Sequence, residues 1–301
     1  MAMNMKLLSR RSAVGGLLVV GACRSIRRQV LEERTLVNGR NGVIEVLSVG
    51  PSDAPAIVMI PSLGRGASDF RLLANAIADA GFRAICPEPR GFGRSAPYSA
   101  DVRLNDLSYY FAYFIESITD KRPVIVLGHA FGNRVARMSA ALRPDLVQAV
   151  ILLAAGGKVA MAPHIEQSLL ASFDLSLPEA ERMGHVARAF FAPGNEPTAW
   201  RDGWRRDVAE AQINASQRTS VDKWWGAGRA SILVVQPLQD VLAPPENADA
   251  VREAALGRVQ IVQVDRAGHA LLPEQPAAVA RAVIEFSSQI SQPKAKLDRD
   301  H

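Results

Sequence analysis

The sequence predicts an α/β protein built on a mostly parallel, doubly wound sheet that carries one helical insertion. Three observations lead there. Short runs rich in β-branched residues alternate with helical patterns along most of the chain. Several of those runs are apolar throughout, as strands covered on both faces must be. One long stretch, 158–225, then breaks the alternation.

The elements follow in order. Gly42 to Val49 (GVIEVLSV) alternates like an early antiparallel strand, and Ala56 to Ile60 (AIVMI) is a continuous run suited to a buried one. Arg83 to Cys86, Val124 to Leu127, Gln148 to Ala154, Ser231 to Gln236 and Val259 to Asp265 continue the series. Between strands, Phe70, Leu73, Ala74, Ile77 and Ala78 recur at helical spacing, as do Val135, Met138, Ser139 and Leu142. From 158 to 225 there are only amphipathic helical pieces, interrupted by Pro163, Pro178, Pro193, Gly194 and Pro197. An insertion between two parallel strands most simply sits over the carboxyl edge of the sheet, where such folds bind ligands, so it reads as a cap. The expected division is an export segment over 1–23, a core over 24–157 and 226–290, the cap over 158–225 and a polar, disordered tail over 291–301.

With 48% of 301 residues apolar, the chain can bury a large core. The net charge of +5 invites a nucleic-acid reading, but Lys6, Arg10 and Arg11 lie in an acid-free segment. Without them 32 basic residues face 30 acidic ones, which argues against a polycationic surface. Aromatic residues are too scattered to stack bases, so no nucleic-acid partner is expected.

The basic stretch LLSRRSA precedes an apolar run from Ala13 to Ala22, too short to span a bilayer but suited to a signal-peptide core. Val20-Gly21-Ala22-Cys23 resembles a bacterial lipoprotein box, and Ser9-Arg10-Arg11 resembles a twin-arginine signal. The expectation is an exported protein, periplasmic or membrane-anchored only through its signal or an acylated Cys23. A plain anchor helix or a simple secretory signal is the alternative. Beyond that segment Cys86 is the one remaining cysteine, so no intrachain disulfide is expected.

The chemistry centres on Gly128-His129-Ala130-Phe131-Gly132, which follows a buried strand and opens a helix. This is a G-x-S-x-G nucleophile elbow with Ala130 in the serine's place. Downstream, Asp240 ends the run SILVVQPLQD, and His269 ends Val264-Asp265-Arg266-Ala267-Gly268-His269. An acid at a strand end can hold an imidazole in one tautomer and stabilise its cationic form.

These segments resemble the α/β-hydrolase fold superfamily in kind and in chain order, nucleophile seat, then acid, then histidine. Ile60-Pro61-Ser62-Leu63-Gly64 resembles the family's oxyanion loop, and Arg90-Gly91-Phe92-Gly93-Arg94-Ser95 its Gly-rich loop. The resemblance implies a His269–Asp240 pair, an oxyanion hole made by the N–H groups of Leu63 and Phe131, and a supporting role for His129 inside the elbow; Ser62 and His129 are both expected to contact the substrate. The run GHAFGNRVARM further resembles a subgroup in which alanine at the elbow is natural.

Alanine has no nucleophilic atom and cannot form an acyl-enzyme. One reading is a hydrolase-like enzyme, esterase- or lactonase-like, in which His269 acts directly as a general base. A second is a pseudo-hydrolase that binds a small ligand. A third is a serine esterase with an engineered Ser→Ala exchange, although such chains usually lose the export segment and tail that this one keeps. Ser62 is a substitute nucleophile in position only, beside the hole and not beneath it, and Cys86 most simply packs in the core. Trp200, Trp204 and Trp224, with Phe190 and Phe191, are expected to roof the pocket; the alternative is that they pack the cap onto the core. With nothing charged evidently placed to recognise an anion, a small apolar ligand is expected. No metal-ligand spacing or phosphate loop occurs, so no cofactor is expected, and oligomeric state is not readable.

Overall fold

The computed structural model describes residues 33–39, 41–99 and 101–292. The segment expected to direct export, with Cys23, and the residues from 293 onward lie outside them. Eight strands form one sheet: β1 (Glu33–Gly39), β2 (Gly42–Val49), β3 (Ala56–Ile60), β4 (Arg83–Pro87), β5 (Val124–His129), β6 (Val147–Leu153), β7 (Ser231–Pro237) and β8 (Val259–Val264), in the order β1-β2-β4-β3-β5-β6-β7-β8. β1 and β2 pair antiparallel, as do β2 and β4, and the remaining neighbours are parallel. The predicted mostly parallel, doubly wound sheet is therefore the fold observed. β1 was not expected. Its residues ERTLVNG are exposed or half-buried, so the hydrophobic pattern of a covered strand is missing, and its pairing partner β2 defines it.

Alternation along the central strands divides the core. Val58, Ile60, Val126, Val150, Leu152 and Val234 point to a face covered by α2 (Leu104–Thr119), α3 (Phe131–Leu142) and α7 (Glu246–Ala254). Ile57, Met59, Ile125, Leu127, Ile151 and Val235 meet α1 (Arg71–Asp79) and α8 (Pro276–Ser291), together with the buried Cys86. Both faces are thus dry, which is why these strands read as continuous apolar runs.

The stretch from 158 to 225 contains no strand. It holds α4 (Pro163–Ser172), α5 (Glu179–Phe190) and α6 (Arg206–Gln217). Three of the four prolines sit at helix starts: Pro163 is the first residue of α4, Pro178 is the N-cap of α5, and Pro197 opens a short 3-10 turn. There a missing N–H costs nothing. Trp200 and Trp204 do not share one helix. Trp200 ends a short 3-10 turn, and Trp204 precedes α6, yet its Nε1 donates to the Trp200 carbonyl at 2.6 Å. A separate apolar cluster of Ile165, Phe173, Val186, Phe190, Trp200 and Trp204 holds these helices together.

Candidate active site

The groups singled out in the sequence converge because each follows the carboxyl end of a parallel strand: Leu63 after β3, Ala130 after β5, Asp240 after β7 and His269 after β8. Ala130 is the N-cap of α3 with φ 48° and ψ −108°, a conformation that costs a non-glycine residue on the order of 1–3 kcal/mol. The surrounding packing holds it there. Its N–H donates to the Leu153 carbonyl at 3.0 Å, and its own carbonyl accepts from Asn133 N–H at 3.1 Å. A Cβ on Gly128 would stand 2.3 Å from the Asn133 nitrogen, and one on Gly132 would stand 2.1 Å from the Ile60 carbonyl oxygen. The elbow's glycines are therefore required by close backbone approach.

Asp240 and His269 form a buried pair. His269 Nδ1 lies 2.9 Å from Asp240 Oδ2 and 3.1 Å from Oδ1, and Oδ1 also accepts the N–H groups of Leu242 (2.9 Å) and Ala243 (2.8 Å). An ionised carboxylate only accepts, so Nδ1 carries the proton and Nε2 the lone pair. Nε2 makes no hydrogen bond among the described residues, and His269 lines a cavity of about 500 Å³.

That cavity brings together Ser62, Leu63, Ala130, Phe131 and His269. Phe131 is the first residue of α3, so its N–H has no intrahelical acceptor, and the Leu63 N–H makes no hydrogen bond among the described residues. The Ser62 hydroxyl is buried without a hydrogen-bond partner. Leu63, Met161, Leu169, Leu170, Phe190 and Ile213 provide apolar wall, much of it from the helical stretch between β6 and β7.

Four of the expected ligand contacts lie elsewhere. The buried Arg65 guanidinium lies over both Trp200 and Trp204, 4.6 and 4.7 Å from rings that meet edge to face, while Arg65 Nε and Nη2 grip Asp69 at 2.8 and 2.7 Å. A desolvated cation–π contact is worth about 2 kcal/mol or more, and each indole gives one face to it. Trp224 packs on Arg137 at 4.5 Å, with Trp225 on the guanidinium at 4.4 Å. The indoles join insertion to core and do not roof the cavity; of the expected roof, Phe190 lines it and Phe191 does not.

His129 is the fourth. It is fully buried, and its Nε2 donates to the His269 carbonyl at 2.8 Å. It holds the histidine loop and does not line the cavity. Gly268 N–H to Glu274 Oε2 (2.8 Å) and Ala270 N–H to the Phe190 carbonyl (2.8 Å) fix the same loop. Burial, reinforced by the His269 ring, holds the His129 pKa down to about 3. Because the folded pKa lies below the unfolded value of about 6.5, the unfolded chain binds the extra proton between them. The stability linked to His129 is complete above about pH 6.5 and falls by about 1.4 kcal/mol per pH unit toward pH 3. Denaturation midpoints measured from pH 7 to 4 should therefore drop less steeply in His129→Gln, whose amide can still donate to the His269 carbonyl.

Sequence reasoning missed Arg65, Glu274 and, most consequentially, the charged part of the wall. Arg134, Lys158 and Glu166 line the cavity, contrary to the expectation that nothing charged is placed there. Arg134 was findable, since it lies four residues after Ala130 and so on the same face of α3. One turn further on, Arg137 is fully buried. Its Nη2 donates to the Asn133 side-chain oxygen and to the carbonyl of the cavity-lining Gly156 at 3.0 Å. Burial pushes both guanidinium pKa values down, and the Arg134 charge adds to the effect on Arg137.

Comparison with known proteins agrees with this architecture. A candidate carbamate hydrolase, RutD, of Variovorax paradoxus is 25% identical over 81% of this chain and 96% of its own length. Epoxide hydrolase A of Mycobacterium tuberculosis is 22% identical over 82% of this chain and 94% of its own. The structure of a thermophilic esterase from Thermogutta terrifontis superimposes with a TM-score of 0.71 at 19% identity, covering 86% of this chain and all of that one. The alpha/beta hydrolase family model matches residues 57–282, which include the elbow, Asp240 and His269, and the chain belongs to that family.

Proposed function

We propose that the protein is a hydrolase-type enzyme in which His269, oriented by Asp240, acts as a general base on water, and in which Ala130 is natural to this branch of the family. The observation that carries this reading is the intact, buried Asp240–His269 pair on a cavity whose elbow keeps its strained geometry without a nucleophile. A ligand carbonyl over Ala130 would place its oxygen near the N–H groups of Leu63 and Phe131. Water attacks the carbonyl carbon, its proton passes to Nε2, and the carbonyl electron pair moves onto oxygen, where the two N–H groups hold it. Collapse re-forms the carbonyl and expels the leaving oxygen, which takes the proton back from Nε2. Residues 158–225 act as the cap that limits water entry, with Leu169, Leu170 and Phe190 against the apolar body of the substrate.

The absence of a nucleophilic atom at position 130 favours a second reading, a binding protein that has kept the pocket. Turnover of p-nitrophenyl butyrate and γ-butyrolactone separates the two. The expected result is slow, burst-free hydrolysis that His269→Ala lowers about 10²–10⁴-fold. If that exchange leaves the rate at the background level of the wild type while a ligand still binds, the base has no work to do and the binder reading replaces this one.

A further inference from the structure

The cavity wall near α3 is rich in cations and hydrogen-bond donors. Arg134 and Lys158 line it, and neither makes an ion pair among the described residues. Behind the wall, Arg137 bonds only to amide oxygens, with no carboxylate partner among the described residues. Its Nη1, the Asn133 side-chain nitrogen and Trp224 Nε1 are buried donors without an acceptor there. Lys158 Nζ stands 5.4 Å from the Trp225 ring, and the Arg134 guanidinium 5.7 Å from the Trp224 ring, so both cations rest on aromatic faces at the same end of the cavity. Among the described residues the only acid on the wall is Glu166, from α4, and it makes no ion pair with either cation. Two cations against one anion on the wall, with a third cation behind it, leave an excess of positive charge beside the cavity; Lys158 and Glu166 are exposed, and the half-buried Arg134 with the buried Arg137 is the least screened part.

Distance gives that field a chemical meaning. Ala130 and Arg134 are one turn apart on α3, a rise of about 6 Å. A molecule with its reacting carbonyl over Ala130 can therefore present a second polar group to the Arg134 guanidinium while apolar atoms between them touch Leu63, Phe131 and Ile213. A guanidinium matches the two oxygens of a carboxylate in a fork that no neutral group reproduces.

We propose that Arg134 and Lys158 form a carboxylate-binding subsite and that the substrates are short acyl compounds carrying a free carboxylate a few carbons from the reacting carbonyl, of the size of glutarate monoesters. This deepens the hydrolase reading for the acyl chemistry but rests for binding only on the cavity wall.

Glutarate and its neutral isostere glutaramide are the probes, titrated calorimetrically into the full-length protein. Glutarate binds and glutaramide does not; Arg134→Gln weakens glutarate about 10- to 100-fold, as expected for losing a charge-assisted hydrogen-bonded pair. Lys158→Gln weakens it less, and Glu166→Gln tightens it. The last two variants lie on the cavity surface and keep the test decisive if Arg134→Gln fails to fold. Equal binding of the two probes, or binding of neither, overturns the subsite. His269→Ala leaves glutarate binding in place, so if the p-nitrophenyl monoester of glutarate is bound but never hydrolysed, the hydrolase reading falls while the subsite stands. Where both hold, Arg134→Gln raises KM for that monoester far more than it lowers kcat, a split that a merely structural loss would not produce.

Discussion

Ala130→Ser is expected to release a burst of p-nitrophenol close to one equivalent per protein, followed by steady turnover, where the wild type shows no burst. The substitution adds one oxygen to a side chain that already lines the cavity, on a backbone already at φ 48° and ψ −108°, so no new strain is introduced. Its hydroxyl would stand beside His269, whose Nε2 lone pair is free because Nδ1 donates to Asp240 at 2.9 Å. Attack by that oxygen forms a serine ester, and the displaced phenol leaves with the proton held by His269. The acyl-enzyme should appear by mass spectrometry, and steady turnover should rise about 10²-fold or more, within the range separating a complete nucleophile–base unit from a hole acting alone. Adding His269→Ala should abolish the burst. If Ala130→Ser gives no acyl adduct, the seat is not aligned with Nε2, and the water-activating route of the wild type is then judged on His269→Ala alone.

The parts of this site legible in the sequence are those where backbone and motif coincide. The elbow could be read because its glycines answer to backbone collisions, and collisions do not depend on distant side chains. Asp240 and His269 could be read because strand ends place them whatever the loops do. The tryptophans could not. The sequence shows that Trp200 and Trp204 are near each other but not that Arg65, far away in sequence, lies over a face of each. Arg134 was open to inference from its four-residue spacing after Ala130, but an arginine on a helix ordinarily turns to solvent. What keeps this one on the cavity wall is the packing of Trp224 and the stretch from 156 to 158 around α3, a tertiary arrangement that no local pattern announces. β1 was missed for a similar reason, since an edge strand with half-exposed residues owes its existence to a partner.

Gly132→Ala is expected to destabilise the protein by about 3 kcal/mol or more, enough to lower the thermal midpoint by many degrees and abolish any activity at the elbow. The new methyl would sit 2.1 Å from the Ile60 carbonyl oxygen and 2.8 Å from both the Ile60 carbonyl carbon and the Pro61 oxygen, all backbone atoms that have no rotamer to change. Nor can β3 retreat, since Ile60 is paired in register with Gly128 of β5, the other glycine of the same elbow. Relief must come from moving α3 outward, which would shift Ala130 and the Phe131 N–H away from Leu63 and His269. Gly184→Ala is the control. It lies exposed within α5, its added methyl would meet nothing within 4 Å, and the exchange should stabilise by about 0.5–1 kcal/mol through helix propensity. Paired denaturation curves would read both. A Gly132→Ala protein as stable as the wild type would mean that the elbow and β3 are not in the close contact on which the site's geometry depends.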